Sequence, residues 1–134
     1  MLSFLWQFRI VLAVSGCAMA AKSADPCVCQ QLVRLARDPS RVRLTRTTEY
    51  DLLAHGLKKE DVCDEIIAWI DANQRVKPTT LHSVPGMTGQ AAYEMKPRIN
   101  KVLFYIKVTL VRLGTPDEYM LVLSAHPNRS GGGG

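Results

Sequence analysis

At 134 residues, 47% hydrophobic and 22% charged, the chain is long enough for one cored domain, too short for two, and not of a disordered composition. Lysine and arginine outnumber aspartate and glutamate 17 to 12, a formal net charge of +5 that suits a polyanionic partner. Of the 4 cysteines, Cys27 and Cys29 stand too close for an ordinary disulfide and no pair with metal-ligand spacing follows, so neither a disulfide framework nor a cysteine metal site is expected.

Residues 1–21 have the outline of a secretory signal, an apolar run followed by Ala18-Met19-Ala20, and Val14-Ser15-Gly16-Cys17 has the outline of a lipoprotein box that would make Cys17 a lipid anchor. Against export, the only positive side chain of this stretch, Arg9, lies inside the apolar run instead of ahead of it. A translation start at Met19 is the third reading. Residues 27–37 then form a short amphipathic helix with Val28, Leu32, Leu35 and Ala36 on one side, ending at Asp38-Pro39. Residues 41–45 alternate as a short edge strand, Val42 and Leu44 inward and the arginines outward.

Thr47 or Thr48 is placed to cap a second helix through residues 51–54, with Gly56 as its left-handed stop. A third helix over residues 58–71 carries Val62, Cys63, Ile66, Ile67 and Ile70 at three- and four-residue steps, with Glu60 and Asp61 in the first turn, where the helix dipole favours acids. Trp69 lies off that stripe, at an edge of the core. Residues 75–98 hold three prolines and two glycines around short extended pieces at 79–83 and 90–94, which predicts two strands joined by an exposed loop.

Residues 101–126 read as a β-hairpin broken at Gly114-Thr115-Pro116-Asp117. In its first arm Val102, Phe104, Ile106, Val108 and Leu110 share the core face, and Leu103, Tyr105, Lys107 and Thr109 the open one. In the second arm Tyr119, Leu121, Leu123 and Ala125 share the face expected to meet the core, and Met120, Val122, Ser124 and His126 the opposite one. Pairing Arg112 with Tyr119 sets Tyr105 opposite His126, and a slip by two makes them diagonal neighbours. Helices first and an antiparallel sheet of four to five strands after them make an α+β two-layer domain, with short N-terminal helices packed on one face of the sheet. The expected organisation is an extension over residues 1–18, one domain over 19–130 and a flexible glycine tail over 131–134.

There is no nucleophile elbow, phosphate-binding loop, HExxH or dinucleotide glycine motif. His55, His82 and His126 are far apart with no paired spacing, so no metal site is expected. What remains is Lys77, Gln90, Tyr93, Tyr105, Lys107 and His126. Such a set suits phosphodiester cleavage without a metal: a base takes the proton of a ribose 2′-hydroxyl, cations stabilise charge at phosphorus, and an acid protonates the leaving oxygen. The bland alternative is a solvated outer face of a half-buried sheet with no chemistry of its own.

Four pieces resemble one known family in order: Arg46-Thr47; Gly56-Leu57 followed by Cys63 and Ile66-Ile67; Lys77 before Thr79-Thr80; and Gln90, Tyr93, Pro97-Arg98, Tyr105, Lys107. Over residues 32–124 the chain resembles the MqsR (motility quorum-sensing regulator) toxins of bacterial toxin-antitoxin systems. The resemblance implies a RelE-like fold and an mRNA interferase, a ribosome-independent endoribonuclease without metal or other cofactor, held by a cognate antitoxin protein in the cytoplasm. It implies catalytic roles for Lys77, Gln90 and Tyr105, with His126 where the family has a lysine, and RNA-binding roles for Arg46, Tyr93, Arg98 and Lys107. Glu94 and Met95 are two extra residues relative to the family. The competing readings are an exported or lipid-anchored binding domain without enzymatic activity, and a catalytically inactive toxin relative with a regulatory role.

Overall fold

Asp25 starts the first helix: its carboxylate accepts the Cys27 amide at 2.7 Å, and Pro26 fills the first helical position, where an amide hydrogen is not needed. The structure, a computed structural model, describes residues 23–128. The signal-like stretch, the proposed extension, Cys17 and the glycine tail lie outside the described residues. In chain order come α1 (Pro26–Ala36), a 3-10 turn (Pro39–Arg41), β1 (Val42–Leu44), α2 (Arg46–Ala54), α3 (Lys59–Asp71), β2 (Lys77–Thr80), β3 (Ala91–Met95), β4 (Arg98–Ile99), β5 (Val102–Val111) and β6 (Tyr119–Pro127). This is the expected α+β class, three helices on a sheet.

The sheet order is β1-β6-β5-β3-β2, with β4 beside β5. It has six strands and is mixed, because β1 runs parallel to β6, whereas an antiparallel sheet of four to five strands was expected. The chain reaches β1 from α1 on the helix side, so β1 lies alongside the far strand of the hairpin and forms an edge, as its length and outward arginines suggest. The helix-side core joins Leu32, Leu35 and Ala36 of α1, Leu52 of α2, and Val62, Cys63 and Ile66 of α3 to Val42, Met95, Phe104, Ile106, Val108, Met120, Val122 and Ala125 of the sheet. Burying each large aliphatic side chain stabilises the fold by about 1.5–3 kcal/mol. Cys27, Cys29 and Cys63 are in no disulfide, and burial pushes the Cys63 thiol up to about 11.

Two local expectations change. The cap of α2 is Thr45, whose hydroxyl accepts the Thr48 amide, and not Thr47 or Thr48. Thr48 is instead buried and its hydroxyl donates to the Val122 carbonyl at 3.2 Å, tying α2 to β6. In β6 the inward face changes partway. Tyr105 stands opposite His126 and Lys107 opposite Ser124, but Val108 stands opposite Val122 and Val111 opposite Tyr119. Leu123 is the extra residue of a β-bulge, so Ala125, Val122 and Met120 all face the helices, while Tyr119 and Leu121 turn to the open face.

The loop between β5 and β6 is held by charge. Arg34 donates to both carboxylate oxygens of Glu118, at 2.7 and 2.8 Å, and Gly114 N donates to one of them at 3.1 Å. The Arg34 hydrogen bond, followed by the Gly114 amide, holds the Glu118 carboxyl down to about 2, against an ordinary 4.5. A depressed folded-state value means the contribution is complete above pH 4.5 and lost as pH falls towards 2. Thermal melts of wild type and Glu118→Gln are therefore expected to differ in favour of wild type at neutral pH and to converge as pH falls through that window; a gap that persists at pH 2 would show that the carboxylate's charge is not what holds the loop.

Candidate functional site

The helix-free face of the sheet gathers side chains by alternation. From Ile106 and Val108 facing the core it follows that Tyr105, Lys107 and Thr109 face away, and the pairings carry this across the sheet: Lys107 stands between Glu94 of β3 and Ser124 of β6, Glu94 pairs with Lys77 of β2, and Tyr105 with His126. At the centre is Glu94. It accepts the Tyr105 hydroxyl at 2.9 Å and lies 3.9 Å from the Lys77 ammonium. The Glu94 side chain is 16% exposed and that of Lys77 58%, so the carboxylate is shielded and the lysine reaches out over it.

The His126 ring lies 5.5 Å from the Tyr105 ring, centre to centre, at 36°. Its Nδ1 is 2.9 Å from the Pro127 carbonyl. A carbonyl only accepts, so Nδ1 carries the hydrogen and Nε2 is left for external chemistry. Burial, then the hydrogen bond to Glu94 and then the charge of Glu94 push the Tyr105 hydroxyl well above its ordinary value of 10.0. Tyr105 therefore stays protonated at neutral pH, as a hydrogen-bond donor. Beside Glu94 a cleft of about 180 Å³ is lined by Trp69, Arg75, Lys77, Met95 and Lys96, three of them cationic. Together these groups offer a carboxylate base, a neutral donor, an imidazole and several cations within one patch.

The structure places the residues expected from sequence unequally. Lys77, Tyr105, Lys107 and His126 come together. Arg98 joins their face at one end, since it pairs with Leu103, two residues from Tyr105. Gln90 is on the same face but further along: its amide nitrogen donates to the Thr109 hydroxyl and the Leu110 carbonyl, both at 2.9 Å, so only its amide oxygen is open to a ligand. Thr109, expected on an open face, is fully buried there and donates to the Ala91 carbonyl at 2.7 Å.

Tyr93 points the other way. It pairs with Val108, packs on the helix-side core, and burial raises its hydroxyl above the ordinary value, so alternation along β3 removes it from the patch. Arg46 is also apart, at the start of α2, in a cleft of about 630 Å³ lined by Leu44, Tyr50, Leu53 and Leu57 on the helix side. The residue that sequence reading missed is Glu94. It is a position of β3, and the signal was available: alternation gives it the parity of Gln90, which stands just before that strand.

An alkaline titration read by phenolate absorbance is expected to show Tyr105 ionising well above its ordinary value of 10.0, and Tyr105→Phe to remove that late step. Glu94→Gln removes the charge and leaves burial and a weaker, neutral acceptor, so the step should move to lower pH without reaching the ordinary value. An unchanged titration in Glu94→Gln would mean that the two groups do not interact.

Comparison of the chain with protein-family models, with curated proteins and with solved structures finds no match.

Proposed function

We propose that this chain is an endoribonuclease toxin of the MqsR kind, cutting single-stranded mRNA without metal or ribosome. In this reading it arrests growth, acts in the cytoplasm and is neutralised by a cognate antitoxin protein. The observation that carries the reading is the contact of Glu94 with both Tyr105 and Lys77, beside the His126 ring, on a helix-free sheet face. Among the described residues no helix is long and apolar enough to cross a membrane.

The chemistry divides as follows. Glu94 takes the proton of the ribose 2′-hydroxyl, whose oxygen attacks phosphorus. Lys77 and Lys107 stabilise the negative charge that gathers on the phosphoryl oxygens, and Tyr105, exchanging its bond to Glu94 for one to the phosphate, donates a further hydrogen bond. His126, entering the cycle as the imidazolium with Nδ1–H on the Pro127 carbonyl, gives the Nε2 proton to the leaving 5′-oxygen and is left as the neutral ring. The bond from phosphorus to that oxygen breaks, and the products are a 2′,3′-cyclic phosphate and a 5′-hydroxyl. Arg98, at the edge of the patch, holds a neighbouring phosphate.

The test is incubation of the purified protein with a long RNA, with chelator and without ribosomes. Discrete cuts bearing 2′,3′-cyclic phosphate ends are expected. Glu94→Gln and His126→Ala each lower kcat by about 10²–10⁴ with little change in KM, the range for loss of a general acid or base. Lys77→Ala lowers kcat and weakens binding together. A folded wild-type protein that leaves the RNA intact would overturn the reading, and full activity in Glu94→Gln would overturn the assignment of the base.

A further inference from the structure

A second polar cleft opens on the same face of the sheet, at the far end from Tyr105. It has a volume of about 310 Å³ and is lined chiefly by Ser40, Arg41, Arg43, Arg112, Asp117 and Tyr119. Arg43 pairs with Leu121 and Tyr119 with Val111, and alternation puts both on the open face. The Arg43 guanidinium lies over the Tyr119 ring, its Cζ 4.1 Å from the ring centre. Two neighbours are already engaged: Arg41 donates to the carbonyls of Pro116 and Glu118, each at 3.1 Å, and the Glu118 carboxylate is held by Arg34 and the Gly114 amide. The charge left to face the cleft belongs to Arg43 and Arg112, with Asp117 on the rim as an acceptor.

A guanidinium resting on an aromatic ring is a flat, charged platform, and its outer plane stacks on a nucleobase as an aromatic ring would. Tyr119 fixes that plane in advance, so less side-chain freedom is lost when a base arrives. Arg112 stands at the head of the loop with a positive φ of 52° and also lines the cleft. From Tyr105 to Val111 the β5 strand advances six residues, roughly 20 Å at about 3.3 Å per residue, which an extended single strand crosses in about three nucleotides. Lys107 and the open amide oxygen of Gln90 lie between the two ends.

We infer that the cleft at Arg43 and Tyr119 is a second nucleobase subsite for single-stranded RNA, about three nucleotides from the scissile phosphate, in which Arg43 stacks on the base and Tyr119 positions Arg43. This rests on the endoribonuclease reading. The subsite sets how long a strand must be to bind well and adds nothing to the chemical step.

The experiment is equilibrium binding of fluorescent 2′-O-methyl oligoribonucleotides, which lack the attacking hydroxyl, as a dinucleotide and as an oligomer of roughly eight nucleotides. Arg43→Lys keeps the charge and loses the plane; Tyr119→Leu keeps an apolar strand residue and loses the ring. Each is expected to weaken the longer oligomer about tenfold, the loss of one stacked base, with the dinucleotide unaffected. On a cleavable RNA of the same length each raises KM with kcat unchanged. Longer-oligomer affinity in Arg43→Lys within about twofold of wild type would overturn the subsite as a stacking platform, and because Arg43 is exposed on an edge strand that variant should fold as wild type, which its melting curve checks. A wild type that binds and cuts RNA while both variants match it removes the subsite alone; a wild type that binds neither oligomer removes the endoribonuclease reading and the subsite with it.

Discussion

Both ends of the open face depend on the bulge at Leu123. The β5 strand demands that its partner bury something opposite Ile106, Val108 and Leu110, and β6 supplies Ala125, Val122 and Met120, which are not of one parity. A regular ladder would bury one half of that set and turn the other half to water. One extra residue resolves the conflict. Its consequence on the other side of the sheet is that His126 and Ser124 face outward near Tyr105, while Tyr119 and Leu121 face outward near β1. A single irregularity thus lets one strand serve the core along its whole length and still furnish an imidazole at one end of the open face and an aromatic platform at the other.

Around Glu94 the contacts are those that satisfy a shielded carboxylate. A half-buried carboxylate with no partner would be costly, and it gains two: a neutral hydroxyl at 2.9 Å and an ammonium at 3.9 Å. The hydroxyl is the closer, so most of the local stabilisation comes from a group that does not neutralise the charge. Lys77, largely exposed, is free to exchange Glu94 for a phosphate. Burial and then the same contact keep Tyr105 protonated, and the pair therefore divides into one acceptor and one donor.

Much of this was legible in the sequence. The three helices follow from periodicity and capping and the hairpin from alternation, whereas Tyr105 meets His126 through the bulge, since the turn pairs Val111, and not Arg112, with Tyr119. What was not legible comes from competition between local signals. The expectation that Tyr119 and Leu121 face the core is wrong: both parities of β6 are apolar, and packing against Val108 and Leu110 selects Met120 and Val122 instead. Thr45 wins the α2 cap from Thr47 and Thr48 because Val122 offers Thr48 a better use, a buried hydrogen bond across to β6. Glu94 was obscured by likeness itself: measured against the MqsR pattern it looked like an insertion, whereas alternation along β3 already placed it on the face of Gln90. Tyr93 shows the reverse error, since a motif position was taken for a site position although its parity points it at the helices.

In the proposed reading, the histidine at position 126 changes the division of labour and does not merely replace one cation by another. A lysine at the end of β6 would offer a charge on a flexible stem, suited to holding phosphate. His126 has its Nδ1 tied to the Pro127 carbonyl and its ring set against Tyr105, so its Nε2 is a fixed point that both gives and takes a proton. The cationic work of such a lysine then falls to neighbours that are present in excess: Lys77, Lys107, Arg75, Lys96 and Arg98 all border the patch or its adjoining cleft. With charge supplied by several side chains and proton transfer by two, Glu94 and His126, on either side of Tyr105, the face separates holding from cutting. That separation is what allows a remote base platform at Arg43 to strengthen binding without touching the reaction.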